Sequence, residues 1–188
     1  MEHEDYRPQT RLRVLSSGTT PEEALTFFDS LQPVSIEELA GFWHGADLPT
    51  GHPFDGLLGP LGWQGKQFDG PDGAHPLVFA DRGGRCFDVN PRVVPLAASL
   101  RLSRLVRKST ARTQVAARLI RPLLPLTRTT KPKARLRMTE YRGVLTATMI
   151  YDALPINDVF RRVDNGTLLG AMDLRGPLPP FMFTLRHD

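Results

Sequence analysis

The chain has 188 residues, of which 40% are apolar and 23% are charged, and its formal net charge is +4 at pH 7. A chain of this size buries about two thirds of its unfolded surface, so it can form a core without disulfide or metal staples. The single cysteine, Cys86, excludes an internal disulfide. No apolar stretch reaches the roughly 18 residues of a membrane-spanning helix, and we expect a cytoplasmic protein.

The positive charge is concentrated in one segment. Twelve Lys and Arg residues lie between Ser99 and Met138, where there is no Asp or Glu. The other 12 Lys and Arg residues are outnumbered by all 20 acidic residues, which gives the rest of the chain a net charge of −8. Such a segment favours an anionic partner: phospholipid headgroups, nucleic acid or an acidic face of its own fold. The segment has no aromatic residue for base stacking, which argues against nucleic acid.

Helix signals come first along the chain. Residues 1–18 show no periodicity and predict a flexible leader. Thr20 and Glu23 have the spacing of a capping box, with proline at the first helical position, and predict a helix that continues to about Leu31. The same signature recurs at Ser35 and predicts a short second helix.

Strand signals dominate the remainder of the chain. Period-two patterns and turn residues predict about seven or eight short strands, mostly with short connections that favour antiparallel pairing. Residues 155–163 are interpreted as a short connecting helix, and residues 100–121 as a basic helix with a narrow apolar stripe. A closed antiparallel barrel is the most economical arrangement because closure removes sheet edges; an α+β sandwich is the alternative. The strands are expected at 41–45, 63–69, 76–81, 85–89, 134–139, 143–151, 167–174 and 181–186.

Several motifs resemble known bacterial families. Residues 41–45 read Gly-Phe-Trp-His-Gly, and residues 49–53 read Pro-Thr-Gly-His-Pro; this half resembles the GXWXG protein family. Residues 147–152 read Ala-Thr-Met-Ile-Tyr-Asp, and residues 172–176 read Met-Asp-Leu-Arg-Gly; this half resembles the DUF4334 domain. The two resemblances cover nearly the whole chain after residue 20, but the family names describe a motif and an unknown function.

A glycine-x-tryptophan at the start of a first strand is also similar to the entry motif of lipocalin-type barrels and of haem-binding barrels of the nitrobindin type. This similarity implies a mainly β, α+β chain: an antiparallel lipocalin-like barrel with N-terminal helices and an inserted basic helix. It also raises haem as an alternative ligand, for which His187 would be the candidate axial residue. We expect four segments, with both halves in one barrel: a leader (1–18), a GXWXG-like half (19–98), a basic insertion (99–133) and a DUF4334-like half (134–188).

Candidate ligand-binding residues are drawn from aromatic, histidine and arginine side chains near predicted strands. Each residue type also has a purely structural interpretation. The tryptophans can be core residues, and the histidines can hold turns through hydrogen bonds. The arginines can lie on a solvated outer face instead of forming an interior clamp for an anion. No histidine pair has metal-ligand spacing, and no nucleophile motif is present, so we assign no metal site and no catalytic residue. The candidates are Trp43, His44, His52, Trp63, His75, Arg135, Arg137, Tyr151 and Asp152.

Acid–base chemistry could use one of four aspartates with a tyrosine: Asp152, Asp158, Asp164 or Asp173 with Tyr141 or Tyr151. Because Asp158 lies close in sequence to Arg161 and Arg162, the helical interpretation of that segment favours surface ion pairs instead.

The sequence thus predicts a cofactor-free protein that binds a hydrophobic or lipid-like molecule with an anionic end. The alternatives are an enzyme of undefined reaction and a haem-binding barrel. The basic segment predicts contact with an anionic membrane, while packing against the acidic remainder of the fold is the other interpretation. The sequence leaves the oligomeric state open. The membrane-contact candidates are Arg104, Arg107, Lys108 and Arg112, next to a leucine-rich end at 119–126.

Overall fold

The structure, a computed structural model, describes residues 7–93 and 119–187. The described helices are α1 (Pro8–Leu15), α2 (Pro21–Ser30) and α3 (Leu58–Leu61), with 3-10 turns at Glu37–Leu39 and Arg121–Thr127. The described strands are β1 (Gly41–Asp47), β2 (Trp63–Phe68), β3 (Ala74–Ala80), β4 (Cys86–Val89), β5 (Arg128–Thr129), β6 (Ala134–Tyr141), β7 (Val144–Tyr151), β8 (Ile156–Asp164), β9 (Thr167–Leu174) and β10 (Phe181–Arg186).

Eight of these strands close into a barrel. Their order is β2-β1-β10-β9-β8-β7-β6-β3, and pairing of β3 with β2 completes the circle. Strands β4 and β5 extend from β3 outside the closed ring. Every pairing is antiparallel. The predicted lipocalin-like barrel is confirmed, and the alternative sandwich is wrong.

Both halves of the chain build the barrel wall. Strands β1 to β3 come from the first half and β6 to β10 from the second. The halves meet at two seams: His44 on β1 lies opposite Arg186 on β10, and Ala74 on β3 lies opposite Ala134 on β6. Neither half can close a barrel alone, so any site inside the barrel is shared between them.

Apolar side chains form one layer inside the barrel and a second outside it. The inner layer includes Phe68, Phe160 and Phe183. The outer layer lies where α1 and α2 cover apolar residues of β8, β9 and β10. Helix α2 begins with the predicted capping box, in which the Thr20 side chain accepts from the Glu23 N–H at 3.2 Å.

Helix α1 corrects the prediction of a flexible leader over residues 1–18. Its buried side chains are Leu12 and Leu15, which anchor it in the outer layer. Two apolar anchors three residues apart are too few to produce a visible helical period. Tertiary contact therefore specifies this helix more than its own pattern does.

Residues 32–34 fill a gap at one end of the barrel. Strands β7 and β8 pair directly only over 148–150 and 157–159. Beyond that point the Ala147 N–H donates to the Val34 carbonyl at 2.8 Å, and the Arg162 N–H donates to the Gln32 carbonyl at 2.9 Å. This inserted segment satisfies backbone groups that the separated strands leave open.

Trp43 lies near the start of β1. It is 3% exposed, and its indole N–H donates to the Leu39 carbonyl at 2.8 Å. Its predicted burial near one end of an antiparallel barrel is confirmed.

The segment interpreted as a connecting helix over 155–163 is instead part of β8, and that prediction is wrong. Both faces of β8 are covered, one by the barrel interior and the other by the helices. A strand covered on both faces loses the simple alternation of apolar and polar residues. Most of the predicted basic helix, over residues 100–121, lies outside the described residues.

Candidate functional site

A cluster of three polar side chains lies inside the barrel. The Lys66 ammonium donates to Asp158 Oδ2 at 2.7 Å and to the Pro76 carbonyl at 3.1 Å. The Tyr151 hydroxyl donates to the same Asp158 oxygen at 3.3 Å. Lys66 is 3% exposed and Asp158 is fully buried. Charged residues are almost never buried unless they are paired, so this cluster is a distinctive feature of an otherwise apolar interior.

A β-bulge turns Lys66 inward. The pairing of β2 with β3 shifts register on both sides of Gly65. In a regular strand, Trp63 and Lys66 would face opposite sides because they are three residues apart. The bulge adds one residue to β2, so both side chains reach the interior.

The bulge requires glycine at position 65. Gly65 has a φ of 145°, and a Cβ atom built there would lie 1.8 Å from the Trp43 carbonyl oxygen. That oxygen belongs to the backbone of the neighbouring strand and cannot rotate away. The close approach of β1 and β2 is therefore available to glycine alone.

Burial and pairing act in opposite directions on the cluster's ionisation. Burial raises the pKa of Asp158, while the Lys66 ammonium and the Tyr151 hydroxyl lower it. Burial and the Asp158 carboxylate raise the pKa of Tyr151 well above its ordinary value. Tyr151 therefore stays a protonated hydrogen-bond donor.

Three aromatic rings surround the Lys66 ammonium. Its Nζ lies 4.9 Å from the Phe183 ring centre, 5.7 Å from that of Trp63 and 5.9 Å from that of Tyr151. The negative faces of aromatic rings attract a cation, and more strongly where water is excluded. The interior thus presents one carboxylate and three rings to a positively charged nitrogen.

Two polar atoms beside this cluster have no hydrogen-bond partner among the described residues. They are the Asp158 Oδ1 acceptor and the indole N–H of Trp63. Buried polar groups in native proteins are nearly always paired with protein, water or ligand. An open acceptor on Asp158 and an open donor on the Trp63 ring, which packs against Lys66, can each bind a small oxygen-bearing group or an ordered water molecule.

The predicted site residues fall into separate places. Trp63 and Tyr151 belong to the interior cluster, and Trp43 on β1 lies opposite Lys66 on β2. His52 and His75 are buried but have structural contacts. The His52 Nδ1 accepts from the Phe54 N–H at 3.1 Å, and burial lowers the pKa of His52 to about 4, which keeps it neutral.

His75 lies between two carboxylates. Its Nδ1 is 2.9 Å from Asp88 and its Nε2 is 3.4 Å from Asp69. These contacts join β3 to β4 and to the turn that precedes β3. His44 is exposed, and its ring packs on Phe42 with centres 4.9 Å apart.

The predicted arginine pair lies on the outer face of the barrel. Arg135 bridges to Asp152 at 3.2 Å and Arg137 to Asp72 at 2.7 Å, all with exposed side chains. They do not form an interior clamp, and the outer-face interpretation describes their position. The membrane-contact candidates Arg104, Arg107, Lys108 and Arg112 lie outside the described residues.

The haem candidate His187 packs against Trp43, with ring centres 5.0 Å apart. No group of three or more His, Cys, Asp or Glu side chains with metal-binding geometry occurs within residues 7–93 and 119–187. The contact with Trp43 places His187 near the start of β1.

Two residues of the cluster escaped the sequence prediction. Lys66 was not singled out, and Asp158 was assigned to surface ion pairs with Arg161 and Arg162. On β8, Arg161 points to the outer layer, where its guanidinium lies 5.2 Å from the Phe28 ring. A lysine in an aromatic strand directly after glycine was the signal that could have identified Lys66.

Family comparisons agree with this architecture. The model of the GXWXG protein family matches residues 26–84, and the model of the domain of unknown function DUF4334 matches residues 132–187. The chain contains a GXWXG region and a DUF4334 domain. A crystal structure of a protein from Thermomonospora curvata is similar to it with a TM-score of 0.69 and 25% identity, over 97% of this chain and 98% of that one. That neighbour is an eight-stranded barrel. No curated protein matches the chain significantly.

The interior cluster draws on both family matches. Lys66 lies in the GXWXG match, while Tyr151 and Asp158 lie in the DUF4334 match. The Lys66–Asp158 pair therefore joins the two matched regions across the inside of this GXWXG/DUF4334 barrel.

Proposed function

We propose that this protein binds a lipid-like small molecule inside its barrel and holds the molecule's oxygen-bearing end at Lys66, Asp158 and Trp63. The observation that carries the proposal is the unpaired Asp158 Oδ1 and unpaired Trp63 indole N–H beside a buried ion pair. Ligand sites combine apolar walls with a few polar groups that fix orientation. The apolar inner layer supplies those walls, and the cluster supplies one acceptor and one donor.

The charge of the cluster favours a neutral end group. The sequence predicts an anionic end, but Asp158 already neutralises Lys66, and Arg135 and Arg137 lie outside. A further negative charge in the interior would have no second cation to pair with among the described cluster residues, and an unpaired buried charge is costly. A hydroxyl or carbonyl oxygen can instead accept from the Trp63 N–H at no such cost.

Removing the polar cluster should weaken binding of 1-decanol while leaving binding of decane nearly unchanged. Loss of the hydrogen bond to Asp158 corresponds to roughly a tenfold rise in Kd. The test variant is Lys66→Met with Asp158→Leu, which removes both charges together. Quenching of tryptophan fluorescence measures the affinity, because Trp63 lies in the cluster.

Lys131→Met is the matched control, since it makes the same substitution at an exposed lysine. Decanoic acid should bind more weakly than 1-decanol. Equal 1-decanol affinity in all variants would mean that the cluster holds structural water, and absence of any binding to the native protein would contradict the proposal.

We also propose that the leucine-rich segment at 119–126 contacts an anionic membrane surface. Leu119, Leu123 and Leu126 are 70%, 58% and 83% exposed, next to the cations Arg121 and Arg128. Exposed apolar side chains beside basic residues are typical of interfacial membrane contact. Among the described residues, no helix has the length and apolar character needed to cross a bilayer.

The protein should bind vesicles that contain phosphatidylserine and release them as salt rises, with little binding to phosphatidylcholine alone. Each Lys or Arg near such a surface contributes about 1 kcal/mol, which salt screens. Cosedimentation measures the effect in the native chain, in Leu123→Ser with Leu126→Ser, and in Arg104, Arg107 and Lys108 changed to Gln. Both variants should bind less; salt-independent binding would contradict this proposal.

A further inference from the structure

Lys66 stands apart from the other lysines of this chain. There are four lysines, Lys66, Lys108, Lys131 and Lys133. Of the three in the described residues, Lys66 alone is buried inside the barrel, while Lys131 is exposed and Lys133 is half-buried. A lysine amine can act as a nucleophile toward carbonyl carbon where a neighbouring group is placed to accept its proton.

The neighbours of Lys66 are suited to such a reaction. Asp158 lies 2.7 Å from Nζ and can take and return a proton. The hydrogen bond from Tyr151 holds the Asp158 carboxyl group in place. Three aromatic rings surround the nitrogen and compensate a positive charge on it.

We propose that Lys66 condenses with an apolar aldehyde to form a protonated imine inside the barrel. This inference rests on the proposed function, because the aldehyde is the oxygen-bearing end of a lipid-like ligand bound there. An aldehyde is the carbonyl compound that needs the least space between the rings around Nζ, because its carbonyl carbon carries only hydrogen as a second substituent.

Each step can be balanced with groups in the cluster. The Lys66 ammonium gives a proton to Asp158, and the neutral amine forms a C–N bond to the carbonyl carbon. The carbonyl oxygen becomes a hydroxyl after protonation by Asp158. The C–O bond then breaks, and the oxygen leaves as water with a second proton from the nitrogen, relayed through Asp158. One aldehyde and the lysine ammonium thus give one iminium and one water, without any oxidant or reductant.

The electrostatics of the cluster support the first step. Proton transfer from the Lys66 ammonium to the Asp158 carboxylate, 2.7 Å away, replaces two buried charges by two neutral groups. The same burial raises the pKa of Asp158. After condensation, the iminium nitrogen occupies the place of the ammonium, and the Asp158 carboxylate is its counterion.

The test incubates the native full-length chain with decanal and sodium cyanoborohydride, which reduces an imine to a stable secondary amine. Peptide mass mapping then locates the decyl group. We expect modification at Lys66 at least about tenfold above that at Lys131 or Lys133, because Lys66 lies in the apolar interior with Asp158 2.7 Å from its amine. A Lys66→Arg variant should lose the dominant adduct and keep the minor ones.

Comparing 1-decanol binding with decanal modification separates this inference from the proposed function. If 1-decanol binds the native chain and decanal modifies all lysines alike, the imine inference is overturned and the binding proposal stands. If 1-decanol does not bind and Lys66 is not modified, both are overturned. Asp158→Asn should slow modification of Lys66 and change its pH profile, whereas a purely structural role for Asp158 would leave that profile unchanged in the folded variant.

Discussion

Lys66→Met should lower the free energy of unfolding by about 3–5 kcal/mol, because it leaves the buried Asp158 carboxylate without its cation. Changing Asp158→Leu in the same chain should recover most of that loss, since replacing both members of a buried pair with apolar residues is often neutral or stabilising. Urea unfolding of the native chain, each single variant and the double variant measures the coupling between the two residues. Arg135→Met is the control, because it breaks an exposed pair that contributes about 0–1 kcal/mol.

The decrease in the free energy of unfolding caused by Lys66→Met should also depend on pH. The Lys66 ammonium is the largest influence that lowers the pKa of Asp158, so its removal raises that pKa further in the folded state alone. The folded variant then binds a proton more tightly than the unfolded chain, and its stability falls as pH rises through the raised folded pKa. The deficit relative to the native chain should therefore shrink in acid. A deficit that stays constant with pH would show that lost packing, not the uncompensated carboxylate, destabilises the variant.

The strand pattern specified most of the barrel. Regular alternation predicted β7, because a period-two pattern is a local signal. In the structure a two-residue turn at Arg142 and Gly143 joins β7 to β6. Segments that depend on distant partners were harder to predict. Helix α1 shows its role only where Leu12 and Leu15 meet the outer layer, and β8 is covered on both faces, so its sequence lacks a clear period.

The interior cluster was only partly predictable, for the same reason. Tyr151 and Trp63 were identified because aromatic residues in strands suggest a cavity wall. Lys66 faces inward only because of a bulge, and a bulge depends on pairing between strands rather than on one strand's pattern. Because residues 155–163 are interpreted as a helix from the sequence, Asp158 is paired with Arg161 and Arg162. Its actual partner, Lys66, lies far away in the sequence.

Gly65→Ala should be among the most destabilising single substitutions in the chain. We expect it to lower the free energy of unfolding by more than about 4 kcal/mol or to prevent folding. The added Cβ would lie 1.8 Å from the Trp43 carbonyl oxygen and 2.9 Å from the Gly45 nitrogen, so the backbones of β1 and β2 would have to separate. Soluble yield, circular dichroism and urea unfolding measure the effect.

Gly70→Ala is the matched control for backbone strain. Gly70 also has a positive φ, of 119°, but a Cβ there would have no neighbour within 4 Å. Gly70→Ala should therefore lower the free energy of unfolding through backbone strain alone, by about 1–3 kcal/mol. If Gly65→Ala were no worse than Gly70→Ala, β1 and β2 could separate cheaply, and the bulge would not be what holds Lys66 in place. If any Gly65→Ala protein remains folded, its Lys66 should lose its selective modification by decanal, because a regular β2 would turn the lysine away from Asp158.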